Sequence, residues 1–371
     1  MTAAYPLREG NHERLPLRVC EDEAVSLEDL TFERPAALQA TEPPEVRGRA
    51  RDDVRLLVSS KEGHAHLHFT QLAEVLRAGD VLVVNDSAVL PASLPATSAV
   101  GAFTLNLSTR YAPDLWLAEP RVSPEIPGSL PLQAGDKIEV ASVQAQLVAP
   151  HPGLPRLWFV KVEDDLETAM QTYGKPIRYG YVAKRYPLAS YQTLFATRPG
   201  SAEMPSAARP FSERVLADLR AKGIDIIPIT LHTGVSSLEV ESEMLDEHTL
   251  YGEPFEVPGE AARALNRARL EGRRVIAAGT TVVRALESAW NGAEVIPQQG
   301  FTSRFIRPGR CACFLDGLIT GFHDPKASHL AMLYALAGQE LVREGYAEAV
   351  EQQYLWHEFG DSHLLLGFGE N

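Results

Sequence analysis

The sequence predicts an α/β protein in which a core domain of alternating strands and helices carries an all-β insert. From about residue 190 onward, buried strand-like runs alternate with amphipathic helix-like runs, as in a parallel sheet covered by helices. Between residues 92 and 165, short alternating segments separated by Pro and Gly replace that pattern. The chain has 371 residues, of which 45% are hydrophobic, and this is enough for a large core.

The N-terminal part of the core is predicted to span residues 1–91. Residues 1–26 are irregular and rich in charge, so we expect a loose arm there. The segments "VRLLVSS" and "HAHLHF" are typical of two strands joined by the turn "KEG". A short helix, "TQLAEVLRAG", and a buried strand, "DVLVVND", follow.

Residues 92–165 form the predicted all-β insert. The segments "FTLNLSTR", "DLWLAEP", "KIEVASVQAQLVAP" and "RLWFVKVE" alternate apolar and polar residues, which is typical of half-buried strands. No helical pattern interrupts them, so we expect a small all-β domain.

Residues 166–371 complete the core with helices and parallel strands in alternation. The helices are "SERVLADLRAKG", "GEAARALNRARLEG" and "TTVVRALESAW", and the strands are "IDIIPITLH", "RRVIAAG" and "ACFLDGLITG". A single long helix is predicted from near Lys326 to Leu341, because apolar residues recur at helical spacing.

Polar residues follow the predicted strands at "VVND", "ITLH", "AAGTT" and "LITGFH". In parallel sheets the carboxyl ends of the strands meet at one edge, where ligands bind. We therefore expect a site made of Asn85, Asp86, His232, Thr280, Thr281 and His323.

The turn "AGTT" precedes a helix that carries Arg284. Thr280 or Thr281 can cap this helix, and the backbone N–H groups of its first turn can hold a carboxylate or a phosphate. Arg284 lies three to four residues further on and faces the same direction. The alternative is an ordinary capped helix with an Arg–Glu pair.

The titratable candidates are His232, His248, Glu253 and His323, which suit general acid–base chemistry. An acidic loop without a catalytic role is the alternative around His248. No metal site is predicted, because the histidines lack metal-binding spacing. Cys311 and Cys313 fit buried positions in a strand.

The stretch 175–186 interleaves cations with Tyr179 and Tyr181. Arg178 lies among them, and this mixture suits looped RNA, although an ordinary linker is the alternative. The net charge of −14 argues against nonspecific coating of DNA. No secretory signal or membrane span is evident, so a cytoplasmic protein is expected.

Several motifs together resemble the S-adenosylmethionine:tRNA ribosyltransferase-isomerase family of the queuosine pathway, from about residue 27 to the C-terminus. In order, they are "GDVLVVNDSAVLPASL", "YQTLFATRPGSAEMPSAARPFSERVLADLRAKGIDIIPITLHTG", "VIAAGTTVVRALESA", "FIRPGRCACFLDGLITGFHDP" and "FGDSHLLL". The resemblance implies a barrel-like α/β domain with an inserted β-barrel. We expect a monomer.

The resemblance also implies a reaction. The ribosyl part of S-adenosylmethionine, a substrate and not a cofactor, moves onto 7-aminomethyl-7-deazaguanine in tRNA and becomes the epoxycyclopentanediol of epoxyqueuosine. Under this hypothesis Thr280, Thr281 and Arg284 hold an anionic group, and Asn85 and Asp86 contact the nucleoside. His232, His248, Glu253 and His323 line the reaction centre, and Arg178, Tyr179 and Tyr181 meet the anticodon loop.

The sequence departs from the family pattern at the predicted strand ends. A family Gly and a family His are replaced by Ala208 and Pro210, a second family His by Tyr251, and a family Arg by Ala88. Two alternatives to the family reaction follow. One is a divergent paralogue that binds S-adenosylmethionine or a related nucleoside and acts without tRNA, and the other is a catalytically silent RNA-binding module.

Overall fold

A computed structural model describes residues 26–123, 130–182, 184–235, 250–309 and 314–368. It contains a nine-stranded mixed sheet with helices and a separate closed six-stranded barrel. The predicted fold class, an α/β core that carries an all-β insert, is confirmed.

The elements of the described residues are numbered here in chain order. The strands are β1 (Arg55–Ser60), β2 (Gly63–His68), β3 (Val81–Asn85), β4 (Ser87–Val89), β5 (Ser93–Ser98), β6 (Gly101–Ala112), β7 (Leu115–Arg121), β8 (Lys137–Val140), β9 (Val143–His151), β10 (Leu154–Val162), β11 (Arg198–Ser201), β12 (Asp225–Leu231), β13 (Glu253–Val257), β14 (Val275–Ala278), β15 (Gln298–Thr302), β16 (Gly317–Gly321) and β17 (Ser362–Leu366). The helices are α1 (Leu72–Val75), α2 (Glu167–Tyr173), α3 (Glu213–Ala221), α4 (Gly259–Leu270), α5 (Thr280–Ala289), α6 (Ser328–Ala337) and α7 (Gln339–Glu351).

The large sheet has the strand order β15-β13-β12-β3-β14-β16-β17-β1-β2. The four central strands β12, β3, β14 and β16 are mutually parallel, as predicted, so their carboxyl ends meet at one edge. The sheet as a whole is mixed, because β17 runs antiparallel to β16, β13 pairs antiparallel with β12, and β1 and β2 form a hairpin. The sequence pattern does not indicate β13, β15 or β17.

The central strands are buried on both faces of the sheet. In β3, Val81 and Val83 pack with the helices α4, α5 and α6, whereas Leu82 and Val84 pack with α3 on the other face. This division follows from the alternation of side chains along a strand. It explains the continuous hydrophobic run of β3, which is typical of a strand covered by helices on both sides.

The small barrel closes in the order β10-β7-β6-β5-β8-β9, with strands between Ser93 and Val162. Its hydrophobic core also includes Ala169 and Met170 of α2, which lie beyond the predicted end of the insert at residue 165. The domain boundaries at 92 and 165 remain predictions.

Tyr251 connects the barrel to the core domain. Its hydroxyl donates to the carbonyl of Val235 and accepts a hydrogen bond from Ser108 of β6 at 3.2 Å. Tyr111 of the same strand donates to the carbonyl of Gly252 at 3.0 Å. These contacts hold the barrel beside the carboxyl ends of the central strands.

Two helix predictions need correction. The long helix predicted from Lys326 to Leu341 is two helices, α6 and α7, because Gly338 between them adopts φ 85° and ψ 148°. The helix predicted at "TQLAEVLRAG" contains a single α-helical turn, α1, after a 3-10 turn at Phe69–Gln71. Among the described residues, no helix is long and apolar enough to cross a membrane.

Candidate active site at the strand ends

A polar cleft lies at the carboxyl ends of the central strands and has two adjoining lobes. Thr233, Thr280, Thr281 and His329 line both lobes. The arginine lobe is lined further by Tyr251, Glu253, Arg284 and Arg304, among others. The acidic lobe is lined further by Tyr179, Tyr181, Glu203, Asp324, His357 and Glu358, among others.

The turn after β14 places two threonines in the cleft wall. Gly279 occupies the N-cap position of α5 with φ 110°, a conformation that residues with a Cβ rarely adopt. The predicted side-chain cap is therefore wrong, since the cap residue is a glycine. Thr280 and Thr281 instead lie in the first helical turn, where Thr281 accepts a hydrogen bond from Asn85 at 3.2 Å.

Arg284 forms an ion pair with Glu253 inside the arginine lobe. One carboxylate oxygen of Glu253 accepts from Arg284, and the other accepts from the N–H of Gly234 at 2.7 Å. The side chains of Arg284 and Glu253 are only 12% and 7% exposed. The glutamate of this pair comes from β13, outside the helix that carries Arg284.

The side chain of Asn85 is fully buried and bonded within the protein. Its amide nitrogen donates to the carbonyl of Leu231 at 2.8 Å, and its oxygen accepts from the N–H groups of Leu231 and Ser87 at 3.1 Å. These bonds join the ends of β3 and β12. The predicted contact between Asn85 and a nucleoside remains a prediction.

Asp86 lies beside β12 and is half-buried. Its carboxylate accepts a hydrogen bond from the hydroxyl of Thr230 at 2.6 Å, and Arg198 donates to the same hydroxyl at 2.9 Å. Burial raises the pKa of Asp86, although the bond from Thr230 and the charge of Arg198 oppose this shift.

His232 follows β12, and its ring contacts the hydroxyl of Ser87. Its Nδ1 lies 2.7 Å from the hydroxyl of Ser87, which lies 2.6 Å from that of Ser201. Burial, with a contribution from Arg198, lowers the pKa of His232 to about 4. The imidazole is therefore neutral at pH 7.

His323 follows β16 and stacks on a histidine that the sequence did not single out. The rings of His323 and His329 are 4.4 Å apart and 8° from parallel, and Nε2 of His323 lies 2.9 Å from the hydroxyl of Thr320. Burial lowers the pKa of both rings, that of His329 to about 4. His329 lies in the apolar helix pattern of α6, which gives no signal of a site.

Tyr179 and Tyr181 form part of a column of rings in the acidic lobe. Their centroids are 6.0 Å apart at 11°, and Tyr181 stacks on His357 at 4.4 Å. Arg178 folds back and donates to the carbonyl of Val182 at 2.6 Å. The two tyrosines therefore line the cleft, and their predicted contact with an anticodon loop remains a prediction.

The acidic lobe contains three carboxyl groups, and sequence patterns did not indicate two of them, Glu203 and Glu358. Asp324 pairs with Arg34 at 2.9 Å and with Nε2 of His357 at 3.1 Å. Glu203 and Glu358 belong to chain segments far apart in sequence, so only the fold brings them together.

The predicted residues thus mostly converge. Those that line the cleft are Tyr179, Tyr181, Glu253, Thr280, Thr281, Arg284 and His323. Asn85 contacts the cleft wall through Thr281, and His232 adjoins the lining residue Thr233. His248 lies outside the described residues, as do the three cysteines. No cluster of three potential metal ligands occurs in the ranges that the structure describes.

Three of the departures from the family pattern are also located by the structure. Ala208 is buried against the sheet, and Pro210 lies behind the acidic lobe, near Glu358. Tyr251 lines the arginine lobe while holding the barrel.

The fold and the cleft define a two-domain α/β protein with a ligand site at the strand ends, next to an inserted barrel. The chain belongs to the family described as queuosine biosynthesis protein, whose model matches residues 27–365.

Named relatives agree with this assignment. The chain is 38% identical to an S-adenosylmethionine:tRNA ribosyltransferase-isomerase of Thermus thermophilus, over 85% of this chain and 93% of the relative. It is 35% identical to the enzyme of the same name from an Anaeromyxobacter species, over 91% and 98%. A crystal structure of S-adenosylmethionine tRNA ribosyltransferase from Thermotoga maritima matches with a TM-score of 0.50 and 26% identity, covering 91% of this chain and 100% of that chain.

Proposed function

We propose that this protein is an S-adenosylmethionine:tRNA ribosyltransferase-isomerase. It transfers and isomerises the ribosyl part of S-adenosylmethionine onto 7-aminomethyl-7-deazaguanine in tRNA, giving epoxyqueuosine, while adenine and methionine leave. The names of the relatives support this reaction. The observation that carries it in the structure is the division of the cleft into an arginine lobe and an acidic lobe.

This division matches the charges of the proposed substrate. S-adenosylmethionine carries a carboxylate at one end and a sulfonium cation near its centre. The arginine lobe contains Arg304, which is exposed, and the first turn of α5, whose N–H groups suit a carboxylate. Arg284 is already paired with Glu253, so it contributes through the local field and Arg304 contacts the anion.

The proposed tRNA contact is the segment around Tyr179. Lys175, Lys184 and Arg185 are exposed there, beside the rings that enter the acidic lobe. Local cations can hold the phosphates of an anticodon loop even though the whole chain is acidic, and the rings can stack on an unpaired base. We further propose that the protein works as a cytoplasmic monomer and needs no cofactor beyond its substrate.

The proposed function is tested by a turnover assay paired with binding assays. The protein is incubated with S-adenosylmethionine and tRNA that carries the deazaguanine precursor, and free adenine is measured. The control is the same tRNA with guanine at the wobble position. Adenine release that requires the precursor supports the proposal.

The other outcomes identify the alternatives. Binding of S-adenosylmethionine without any dependence on tRNA would indicate the divergent paralogue. Tight binding of tRNA without affinity for S-adenosylmethionine would indicate the RNA-binding module.

A further inference from the structure

The acidic lobe has an excess of carboxyl groups over cations. Among the described residues, no lysine or arginine lines it. Asp324 pairs with Arg34 and lies 3.1 Å from Nε2 of His357, and Glu203 and Glu358 are the other carboxyl groups in the wall of the lobe. Such a wall favours a positively charged ligand.

The carboxyl group of Glu358 has one oxygen without a hydrogen-bond partner among the described residues. Its Oε1 is buried and accepts no hydrogen bond from any residue that the structure describes. The nearby cation Arg209 is paired with Glu45 at 3.0 Å and lies 5.0 Å from the ring of Phe359. A buried carboxyl oxygen without a partner is costly, and a ligand in the lobe would supply one.

The ring column forms a second feature of the lobe that suits a cation. Tyr179, Tyr181 and His357 stack in sequence along the wall. His357 lies at the end of the column with a positive φ of 72°, and its Nε2 lies 3.1 Å from the carboxylate of Asp324. Such a conformation is uncommon for a residue with a side chain and occurs often at functional sites. Tyrosine faces attract organic cations.

We propose that the acidic lobe binds the cationic centre of the substrate and that Glu358 becomes its counter-ion by releasing a proton to solvent when the cation binds. This inference rests on the proposed function, in which the cation is the sulfonium of S-adenosylmethionine. The O–H bond of the Glu358 carboxyl breaks, the electron pair stays on oxygen, and no bond of the ligand changes.

The protonation state of the free protein agrees with this scheme. Burial, and then the charge of Glu203, raise the pKa of Glu358 to about 8, while Arg209 opposes the shift. The rings of Tyr181 and Tyr191 also lie near Glu358, and Asp324 and His357 line the same lobe. The free carboxyl is therefore mostly neutral at pH 7, and a bound cation favours its ionised form.

The direction of the pH effect follows from this linkage. At pH values below the pKa of Glu358, only the ionised fraction of its carboxyl group can pair with the cation. This fraction rises roughly tenfold per pH unit. Affinity for a cationic ligand should therefore rise with pH and level off above about 8. A neutral ligand of the same shape should show no such rise.

The test compares S-adenosylmethionine with S-adenosylhomocysteine, which lacks the methyl group and therefore the positive charge on sulfur but keeps the ammonium and carboxylate groups. Dissociation constants are measured by calorimetry from pH 6 to pH 8.5, and the affinity ratio of the two ligands cancels the titration of groups they share. In the wild type the ratio should favour S-adenosylmethionine and rise roughly tenfold per pH unit up to the plateau.

Three variants make the test specific. Glu358→Gln should leave the ratio independent of pH, whereas Glu203→Gln should move the rise to lower pH because a neighbouring charge is removed. Glu351→Gln, on the exposed end of α7, is the matched control and should behave as the wild type. If Glu358→Gln fails to fold, the inference is still tested by the Glu203→Gln variant, in which the rise of the affinity ratio should occur at lower pH.

Two results would overturn the inference. A ratio independent of pH in the wild type, or a rise that is unchanged in Glu203→Gln and Glu358→Gln, contradicts it and leaves the proposed function standing. Failure of both ligands to bind contradicts the proposed function as well.

Discussion

Some side chains in the cleft both stabilise the fold and change the electrostatics of the site. Arg284 is the clearest example. It ties α5 to β13 through Glu253 and also donates to the carbonyls of Thr302 and Arg304 at 3.3 Å. An arginine with this many partners is fixed in place. Its charge therefore acts on the cleft mainly at a distance, as the lowered pKa of His329 shows, where burial is the larger cause and Arg284 adds to it.

Replacing Arg284 should destabilise the protein. Arg284→Ala leaves the carboxylate of Glu253 buried without its cation, which typically costs about 3–5 kcal/mol of the free energy of unfolding. Urea denaturation measures the loss. The control Arg304→Ala, at an exposed site, should change stability by about 0.5 kcal/mol or less. If Arg284→Ala is as stable as the control, the ion pair does not have the structural role described.

Gly200 makes room for the ring of His232. A Cβ at Gly200 would lie 2.5 Å from Nδ1 of that ring, so Gly200→Ala should displace the imidazole from Ser87 toward solvent. The pKa of His232 should then rise from about 4 toward its ordinary 6.5. NMR titration of the ring measures this change. The control Gly321→Ala, where no atom lies within 4 Å, should leave the pKa of His232 unchanged. A persistent low pKa in Gly200→Ala would show that the ring had not moved.

Among the elements, α6 and α7 show how one residue redirects a helix. The apolar pattern from Leu330 to Leu341 continues across Gly338, yet the chain turns there. The turn places the start of α6, with Ser328 and His329, at the cleft, while α7 packs against β1.

Gly338→Ala should be destabilising. Its φ of 85° with ψ of 148° lies in a region that only glycine occupies freely, and forcing another residue there costs about 1–3 kcal/mol. Thermal unfolding should show a lower midpoint for Gly338→Ala than for the neighbouring control Gln339→Ala, which retains helical geometry. Equal midpoints for the two variants would contradict the break between the helices.

At the scale of the whole molecule, buried neutral histidines make stability depend on pH. Burial lowers the pKa of His232 and His329 to about 4 and that of His363 to about 3, and it also lowers the pKa of His323. Each histidine binds a proton more readily in the unfolded chain, where its pKa is near 6.5.

The contribution of these neutral histidines to the free energy of unfolding should therefore be fully present above pH 6.5. It should be lost as the pH decreases toward 4. Each buried histidine should contribute roughly 1–3 kcal/mol of this loss. Calorimetry at pH 7, 6, 5 and 4 measures the trend. His232→Gln should reduce the slope, whereas His68→Gln, at an exposed site on β2, should not. A slope that His232→Gln leaves unchanged would mean that this ring does not stay neutral in the folded protein.

Much of the fold was predictable because its signals are local. The buried runs of β3, β14 and β16 and the helices α3, α4 and α5 follow from hydrophobic periodicity within each segment. The strands β13 and β17 were not predicted. β13 begins beside charged residues, and β17 lacks an alternating pattern. The break at Gly338 was not predicted either, because a glycine inside an apolar helical pattern does not reveal its backbone angles.

By itself the sequence determined that polar residues follow the central strands, and parallel pairing then brought those ends to one edge. Only the tertiary structure decided which side chains meet there. Arg284 pairs with Glu253, His323 stacks on His329, and Glu203 shares a lobe with Glu358. Local patterns record how each segment is buried, whereas charges and rings from distant segments become partners only when the whole sheet and its connections are in place.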